Sequence, residues 1–161
     1  MNARPRRVVL TREAAQCRAW AGALASAGVA VLELPLLRYA SLPPPADVDP
    51  AAFDWILFTS PQGVRAFADA GLSPGGSRLG AAPARVLLPG PDHRLSEPAA
   101  GLRAAGCTVV ELPLYRTEAI PAGELPRDPF AQGDLVFFAS PSAVGAFAAA
   151  YALRPPCVAI G

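Results

Sequence analysis

The sequence lacks lysine altogether and contains a single histidine, His93. All 14 basic residues are therefore arginines, and the 13 acidic residues leave a net charge of only +1. A net charge this small provides no basic field for nucleic acid, so we expect no nucleic-acid partner. The absence of lysine is interpreted as a compositional bias of the genome. The lone histidine, in Pro-Asp-His-Arg, is typical of an exposed residue without a catalytic role.

Cysteine and long apolar runs are also scarce. The three cysteines, Cys17, Cys107 and Cys157, are far apart, and no pair has the spacing of a metal or redox site. We expect reduced thiols in a cytoplasmic protein that has neither a metal nor a redox cofactor. No apolar run approaches the roughly 20 residues of a membrane span, so no membrane contact is expected. Val8–Leu10 is too short for the apolar part of a signal peptide.

Two stretches of similar sequence stand out, DWILFTSPQGVRAF at Asp54–Phe67 and DLVFFASPSAVGAF at Asp134–Phe147. Each is typical of a buried strand, a tight turn and the start of a helix. Ser60 and Ser140 are the expected N-caps, and the proline that follows each serine suits the first helical position. Each turn then brings together the C-terminal end of a strand, a hydroxyl and free helix amides. That arrangement attracts carboxylate or phosphate groups.

The hydrophobic pattern predicts alternating strands and helices elsewhere. Strands are predicted at Val8–Leu10, Val29–Leu34, Ile56–Phe58, Arg85–Leu88, Cys107–Leu112, Leu135–Phe138 and Cys157–Ile160. Helices are predicted at Ala14–Ala27, Pro61–Ala70, Leu95–Ala105 and Pro141–Tyr151, and loops at Leu72–Ala84 and Glu118–Gly133. Trp20, Trp55, Phe58, Phe137 and Phe138 are expected in the core, and Asp54 and Asp134 as turn residues. The alternation predicts a parallel sheet that is covered on both faces.

The chain also repeats itself in order. VLELPLLRY begins at Val31 and VVELPLYRT at Val109, 78 residues later. VVLTR at Val8 matches VLLPG at Val86 with the same offset, and the two Ser-Pro turns are 80 residues apart. Three matched segments in the same order indicate two copies of one strand–helix unit.

Taken together, these segments resemble uroporphyrinogen-III synthase. The ordered pattern runs from Val8 to Gly161 and reads VLTR, VLELPLLRY, ILFTSPQGV, VLLPG, VVELPLYRT, VFFASPSAV and VAIG. The resemblance implies an α/β fold with two similar, flavodoxin-like parallel-sheet lobes, which face each other across a cleft and are joined by two crossing strands. It assigns one lobe to residues 38–114 and the other, discontinuous, to residues 1–37 plus 115–161.

The sequence departs from the family pattern in two places. A usual member has a further strand and helix where Leu72–Ala84 stands here, and another strand–helix unit after the position of Gly161. Both lobes are therefore expected to be truncated. Each departure removes a helix start that would face the cleft, so it bears on catalytic activity more than on the fold.

The resemblance implies a defined reaction. Hydroxymethylbilane, a linear tetrapyrrole with many carboxylates, is cyclised to uroporphyrinogen III with inversion of the terminal pyrrole ring and loss of water. The implied protein is a cytoplasmic monomer that needs no cofactor. The family tyrosine matches Tyr115, whose phenol carries its proton at neutral pH and can assist the departing hydroxyl. The alternative role for Tyr115 is an aromatic hinge between the lobes, and Leu37 occupies the matching place in the first copy.

The expected substrate-binding residues lie at strand ends and helix starts. The amides of Gln62, Gly63, Ser142 and Ala143 are expected to bind carboxylates at the two turns. Arg12, directly after the first strand, can pair with a propionate through two hydrogen bonds. The full set is Thr11, Arg12, Thr59, Ser60, Gln62, Gly63, Ser140, Ser142 and Ala143. The alternatives for these residues are plain helix caps, exposed polar side chains and a solvated arginine.

One arginine is displaced relative to the family. Pro89-Gly90 stands in the second copy where the family often has an arginine, and Arg94 is close enough in sequence to take its place. Two functions therefore remain at this point: the synthase itself, or a shortened non-catalytic homologue that binds tetrapyrroles or other polycarboxylate anions. The missing signal peptide disfavours a two-lobed periplasmic binding protein.

Overall fold

The computed structural model describes residues 6–75, 83–94 and 96–160. In these ranges the strands are β1 (Arg7–Leu10), β2 (Ala30–Glu33), β3 (Leu37–Ser41), β4 (Trp55–Ile56), β5 (Arg85–Pro91), β6 (Thr108–Ala119), β7 (Asp134–Phe138) and β8 (Cys157–Ala159). The α-helices are α1 (Ala14–Ser26), α2 (Pro61–Asp69), α3 (Ala99–Ala104) and α4 (Pro141–Ala150), and short 3-10 turns lie at Pro50–Ala52 and Ala122–Glu124. Parts of the predicted loop 72–84, the predicted helix start at Leu95, and Gly161 lie outside the described residues.

The described strands form two separate four-stranded sheets. One has the order β2-β1-β7-β8 and is parallel throughout. The other has the order β3-β6-β5-β4 and is mostly parallel. The prediction of an α/β protein with two mainly parallel sheets is therefore confirmed.

The two sheets belong to two compact units. Unit 1 comprises Met1–Arg38 with Glu118–Gly161, and unit 2 comprises Tyr39–Thr117. Strands β3 and β6 both run through the division between the units. Among the described residues, no helix is long and apolar enough to cross a membrane.

Each sheet buries alternate residues on opposite faces, as the period of two in a strand requires. In unit 1, Val8 and Leu10 of β1 pack with Cys17 of α1, whereas Val9 packs with Phe147 of α4. In unit 2, Val86 and Leu88 of β5 pack with Ala99 of α3, whereas Leu87 packs with Ala66 and Phe67 of α2. Helices therefore cover both faces of each sheet, as predicted.

Asp134 was predicted to be a turn residue, and this prediction was wrong. It is the buried first residue of β7. The Asp134 side chain is 3% exposed. In the sheet, Asp134 is the register partner of Arg7 in β1. The Nε of Arg7 donates to Oδ1 at 3.0 Å and its Nη2 donates to Oδ2 at 2.6 Å. The Ala131 N–H also donates to Oδ2, at 2.8 Å. The hydrogen bonds from Arg7 hold the pKa of Asp134 below its ordinary value, although burial opposes this shift.

Three further predictions were wrong in their bounds or burial. Strand β6 continues to Ala119 instead of ending at Leu112, because backbone bonds also join it to the segment around β3 (Leu42 N–H to Leu114 O, 2.8 Å). Helix α3 starts only at Ala99, since a residue that precedes a proline, here Glu97, is disfavoured in a helix. Trp55 is 58% exposed rather than buried, because β4 has only two residues and lies at the edge of its sheet.

Removing the partner of Asp134 should destabilise the protein. We expect Arg7→Met to lower the free energy of unfolding at neutral pH by about 2–4 kcal/mol, because it leaves a buried carboxylate without its counter-ion. This expected loss is smaller than the loss for a fully buried ion pair, since the Arg7 side chain is 28% exposed. A carboxyl with a lowered pKa stabilises the fold above its ordinary value of 3.8 and loses this contribution as it becomes protonated. The difference between wild type and variant should therefore shrink as the pH falls from about 5 to about 2 in urea unfolding experiments.

Arg38→Met provides the matched control. Arg38 pairs with Glu118 at 3.6 Å and with Glu124 at 3.0 Å, but all three side chains are more than a third exposed. An exposed ion pair contributes about 0–1 kcal/mol, so this variant should unfold almost like the wild type. Equal losses in the two arginine variants would contradict the special role of the Arg7–Asp134 pair.

Candidate functional site

The two Ser-Pro turns have the predicted helix-cap geometry. Ser60 is extended (φ −153°, ψ 152°), and its Oγ accepts a hydrogen bond from the Gly63 N–H at 3.1 Å at the start of α2. Ser140 has the same conformation (φ −163°, ψ 153°) and accepts from the Ala143 N–H at 3.3 Å at the start of α4. The cap predictions are confirmed, and each serine anchors a helix start beside the end of a strand.

The Ser60 cap differs from the Ser140 cap because it also contacts a tyrosine. The hydroxyl of Tyr115, in β6, lies 3.3 Å from the Ser60 Oγ. The ring of Tyr115 is 5% exposed and packs edge-on against Tyr39, with ring centroids 5.5 Å apart. The sequence separates Ser60 and Tyr115 by 55 residues, so only the fold of unit 2 shows that they meet.

Gly63 allows a close approach between α2 and β5. A Cβ at this position would lie 3.2 Å from the Pro89 carbonyl oxygen and 3.6 Å from the Ser60 Oγ. The equivalent position in unit 1 is Ala143, which carries a side chain and is buried. The start of α2 is therefore held unusually close to the C-terminal end of β5, with Thr59 exposed and Gln62 half-buried beside it.

Arg94 lies against the same strand end. Its guanidinium covers Gly90, where a Cβ would lie 2.7 Å from Nη2. Nη1 donates to the Leu88 carbonyl oxygen at 3.1 Å, and Nε lies 3.5 Å from a Glu111 carboxylate oxygen. An open pocket of about 520 Å³ is lined by Thr59, Pro91, Arg94, Glu97 and Pro98. Arg94 lies outside the predicted substrate-binding set, although the sequence indicates it as a substitute for the family arginine that is missing at Pro89-Gly90.

The unit 1 residues of the predicted set lie at the ends of β1 and β7. Thr11 is 1% exposed, and its hydroxyl donates to the Phe137 carbonyl oxygen at 2.9 Å. Its donor is therefore used within the protein, whereas Arg12 is half-buried and Ser142 is exposed. A small pocket of about 310 Å³ beside the α4 start is lined by Ser140, Pro141, Val144, Ala159 and Ile160.

The predicted residues thus fall into two groups, one in each unit. Thr59, Ser60, Gln62, Gly63 and Tyr115 surround the start of α2 in unit 2. In unit 1, Ser140, Ser142 and Ala143 form the start of α4, Thr11 bonds to Phe137 near the end of β7, and Arg12 follows Thr11. In the described part of the chain, no group of three or more His, Cys, Asp or Glu residues could hold a metal ion.

Comparison with solved structures identifies the class of fold. Uroporphyrinogen-III synthetase from Helicobacter pylori matches with a TM-score of 0.64 and 14% identity, over 96% of this chain and 82% of that one. A mutant uroporphyrinogen III synthase from the extremely thermophilic bacterium Thermus thermophilus matches with a TM-score of 0.52 and 16% identity, over 95% of this chain and 83% of that one. The chain therefore has the fold of these two-lobed α/β proteins.

The sequence comparison points to the same family. The family model of uroporphyrinogen-III synthase HemD matches residues 18–79. No curated protein matches significantly in sequence. The resemblance to uroporphyrinogen-III synthase that the ordered motifs indicate is thus confirmed by a family model and by the fold.

The two serine caps should differ in their contribution to stability. Ser140→Ala removes one cap bond and should lower the free energy of unfolding by about 1 kcal/mol. Ser60→Ala removes a cap bond and also leaves the buried Tyr115 hydroxyl without this partner, which adds about 1 kcal/mol. Unfolding in urea can be followed separately for the units in variants that keep a single tryptophan, because Trp20 lies in unit 1 and Trp55 in unit 2. Equal losses for the two variants would show that the Ser60–Tyr115 contact contributes nothing.

Proposed function

We propose that the protein is a uroporphyrinogen-III synthase, a lyase that cyclises hydroxymethylbilane to uroporphyrinogen III with inversion of the terminal pyrrole ring and loss of water. The observation that carries the proposal is the Tyr115 phenol, which lies 3.3 Å from the Ser60 hydroxyl at the start of α2. Tyr115 stands where the family resemblance puts its tyrosine. The family model and the fold support the proposal, and the site residues supply the chemistry the reaction requires.

The substrate carboxylates require several hydrogen-bond donors, and both units offer them. The first-turn amides of Gln62 in α2 and Ser142 in α4 are suited to bind anions, whereas the Gly63 and Ala143 amides already donate to the capping serines. Arg12 follows β1 in unit 1, and Arg94 lies beside the end of β5 in unit 2. We add Arg94 to the proposed binding residues, because Arg94 and Thr59 both line an open pocket and a guanidinium can pair with a carboxylate.

The chemical step requires a proton at the departing hydroxyl. The C–O bond of the hydroxymethyl group breaks with its electron pair on oxygen, which takes the proton of the Tyr115 phenol and leaves as water. The adjacent pyrrole stabilises the carbon, and its N–H proton returns to the phenolate, which leaves a neutral azafulvene. The protein then holds the chain so that the azafulvene carbon bonds to the substituted position of the last ring. The bond from that position to its original methylene carbon breaks, and this carbon bonds instead to the free position of the same ring, whose proton passes to the azafulvene nitrogen. The water molecule released accounts for all the atoms lost by the substrate.

The proposal also covers the setting of the reaction. We propose that the protein acts in tetrapyrrole biosynthesis as a cytoplasmic monomer, and that the reaction uses neither a metal nor a redox cofactor. Units 1 and 2 are proposed to be the two functional domains, and each contains a helix start suited to bind anions.

Replacing Tyr115 with phenylalanine tests the catalytic role directly. Tyr115→Phe keeps the buried ring and its packing on Tyr39 but removes the proton donor. We expect the rate of formation of the III isomer to fall by about 10²–10⁴-fold, the usual contribution of general acid catalysis. The assay uses freshly prepared hydroxymethylbilane and separates the III isomer from the I isomer, which forms spontaneously.

Tyr151→Phe is the matched control. Tyr151 is a half-buried tyrosine in unit 1, at the C-terminal end of α4, and its hydroxyl donates to the Pro126 carbonyl oxygen at 2.9 Å. Its substitution should leave the rate and the isomer ratio unchanged. Wild-type activity in Tyr115→Phe would remove Tyr115 from its role. A wild-type protein that gives only the I isomer but is stabilised against heat by uroporphyrin would favour the non-catalytic binding homologue.

Gly90→Ala tests Arg94 without touching its charge. The new Cβ would lie 2.7 Å from Nη2, so the flexible guanidinium must move while the backbone can stay in place. We expect the KM for hydroxymethylbilane to rise several-fold, with little change in kcat. A rise of this size corresponds to the loss of about 1 kcal/mol of charge-assisted binding. Gly22→Ala in α1, where a Cβ meets nothing within 4 Å, should leave both constants unchanged. An unchanged KM in Gly90→Ala would exclude Arg94 from substrate binding.

A further inference from the structure

We propose that Ser60 is a positioning residue for Tyr115: it fixes the phenol oxygen and directs the phenol proton toward the substrate. This inference rests on the proposed synthase reaction. It assigns Ser60 a third role, in addition to capping α2 and to its predicted place among the substrate-binding residues. The observations that carry it are the two contacts of one hydroxyl, 3.1 Å from the Gly63 nitrogen and 3.3 Å from the Tyr115 oxygen.

The hydrogen-bond pattern around the Ser60 hydroxyl sets the direction of its proton. A serine hydroxyl has one proton to donate and two lone pairs to accept with. The Gly63 N–H can only donate, so it occupies one lone pair of Oγ. The serine proton is then free to point at the Tyr115 oxygen. When it does so, the phenol proton is not used in that contact and can be offered to another acceptor.

This arrangement serves the chemical step before and after proton transfer. Before transfer, the Ser60 bond and the edge-on packing against Tyr39 restrict rotation of the buried Tyr115 hydroxyl group. After transfer, the phenolate oxygen still accepts a hydrogen bond from Ser60 until the pyrrole N–H proton returns. A donor already in place at the developing charge lowers the barrier without reorganisation.

The internal repeat separates this role from helix capping. Ser140 has the same backbone conformation and the same cap bond as Ser60. In the first copy of the repeat, however, Leu37 takes the place of Tyr115. Capping therefore does not require a tyrosine partner. The Ser60–Tyr115 contact is an addition to a turn that is already complete without it.

A kinetic double-mutant cycle tests the proposal. Ser60→Gly removes the hydroxyl but keeps a residue that is accepted at N-caps, so α2 should still form. We expect kcat to fall between about tenfold and about a hundredfold, the cost of a misplaced catalytic group, with a smaller effect on KM. In a Tyr115→Phe background, the same substitution should cause no further loss of kcat. Ser60→Thr, which retains a hydroxyl, should restore most of the activity.

The outcomes distinguish this inference from the proposed function. If Ser60→Gly lowers kcat by the same factor with and without the Tyr115 phenol, Ser60 acts on its own and the positioning role is wrong, although the synthase activity stands. If the wild-type protein forms only the I isomer, both the proposed function and the positioning role fail.

A thermal-unfolding cycle provides a readout that does not depend on activity. The shifts in melting temperature for Ser60→Gly and Tyr115→Phe should be non-additive, because the two side chains share one contact. Ser140→Gly and Tyr115→Phe should be additive, because they lie in different units. Additivity in the Ser60 cycle would show that the contact is not formed in solution and would overturn the inference.

Discussion

A serine hydroxyl that accepts a hydrogen bond from the backbone N–H three residues later holds each helix start beside the end of a parallel strand. Ser60 does this for α2 and Ser140 for α4, with bonds of 3.1 and 3.3 Å. The bond satisfies one of the free N–H groups of the first turn and leaves others available, close to the edge where strands of a parallel sheet end. Substrate binding by either unit would depend on this turn, because it fixes where the free amides lie.

The two copies of the turn share their fold requirements but differ in chemistry. At the third helical position unit 1 has Ala143, whereas unit 2 has Gly63, which admits the Pro89 carbonyl oxygen. In unit 2 a buried phenol also reaches the capping serine, and Arg94 folds over the end of β5. The turn in unit 1 forms without a tyrosine or an arginine, so the helix cap itself does not require these additions. They place a phenol and a guanidinium near one helix start, and the proposed loss of a hydroxyl from a carboxylate-rich substrate would require both groups.

The sequence predicted the features that depend on neighbouring residues and missed those that depend on distant ones. The serine caps follow from local chemistry and were predicted. Asp134 was misread as a turn residue because its partner, Arg7, is 127 residues away. Trp55 was misread as core because its exposure depends on the position of β4 in the sheet, which no local pattern reveals. The Ser60–Tyr115 contact could not be predicted for the same reason, although both residues were singled out.

Because the chain contains two copies of one unit, equivalent residues can be compared to separate what the fold requires from what it does not require. The helix cap explains the serine that both copies share, so its repetition alone assigns it no further role. A residue that differs between copies while the backbone stays the same, such as Tyr115 against Leu37, is not required by the fold. Burying a phenol costs more free energy than burying a leucine unless the phenol hydroxyl forms a hydrogen bond. The packing of β6 therefore does not require the phenol beside Ser60, whereas the proposed proton donor does require it.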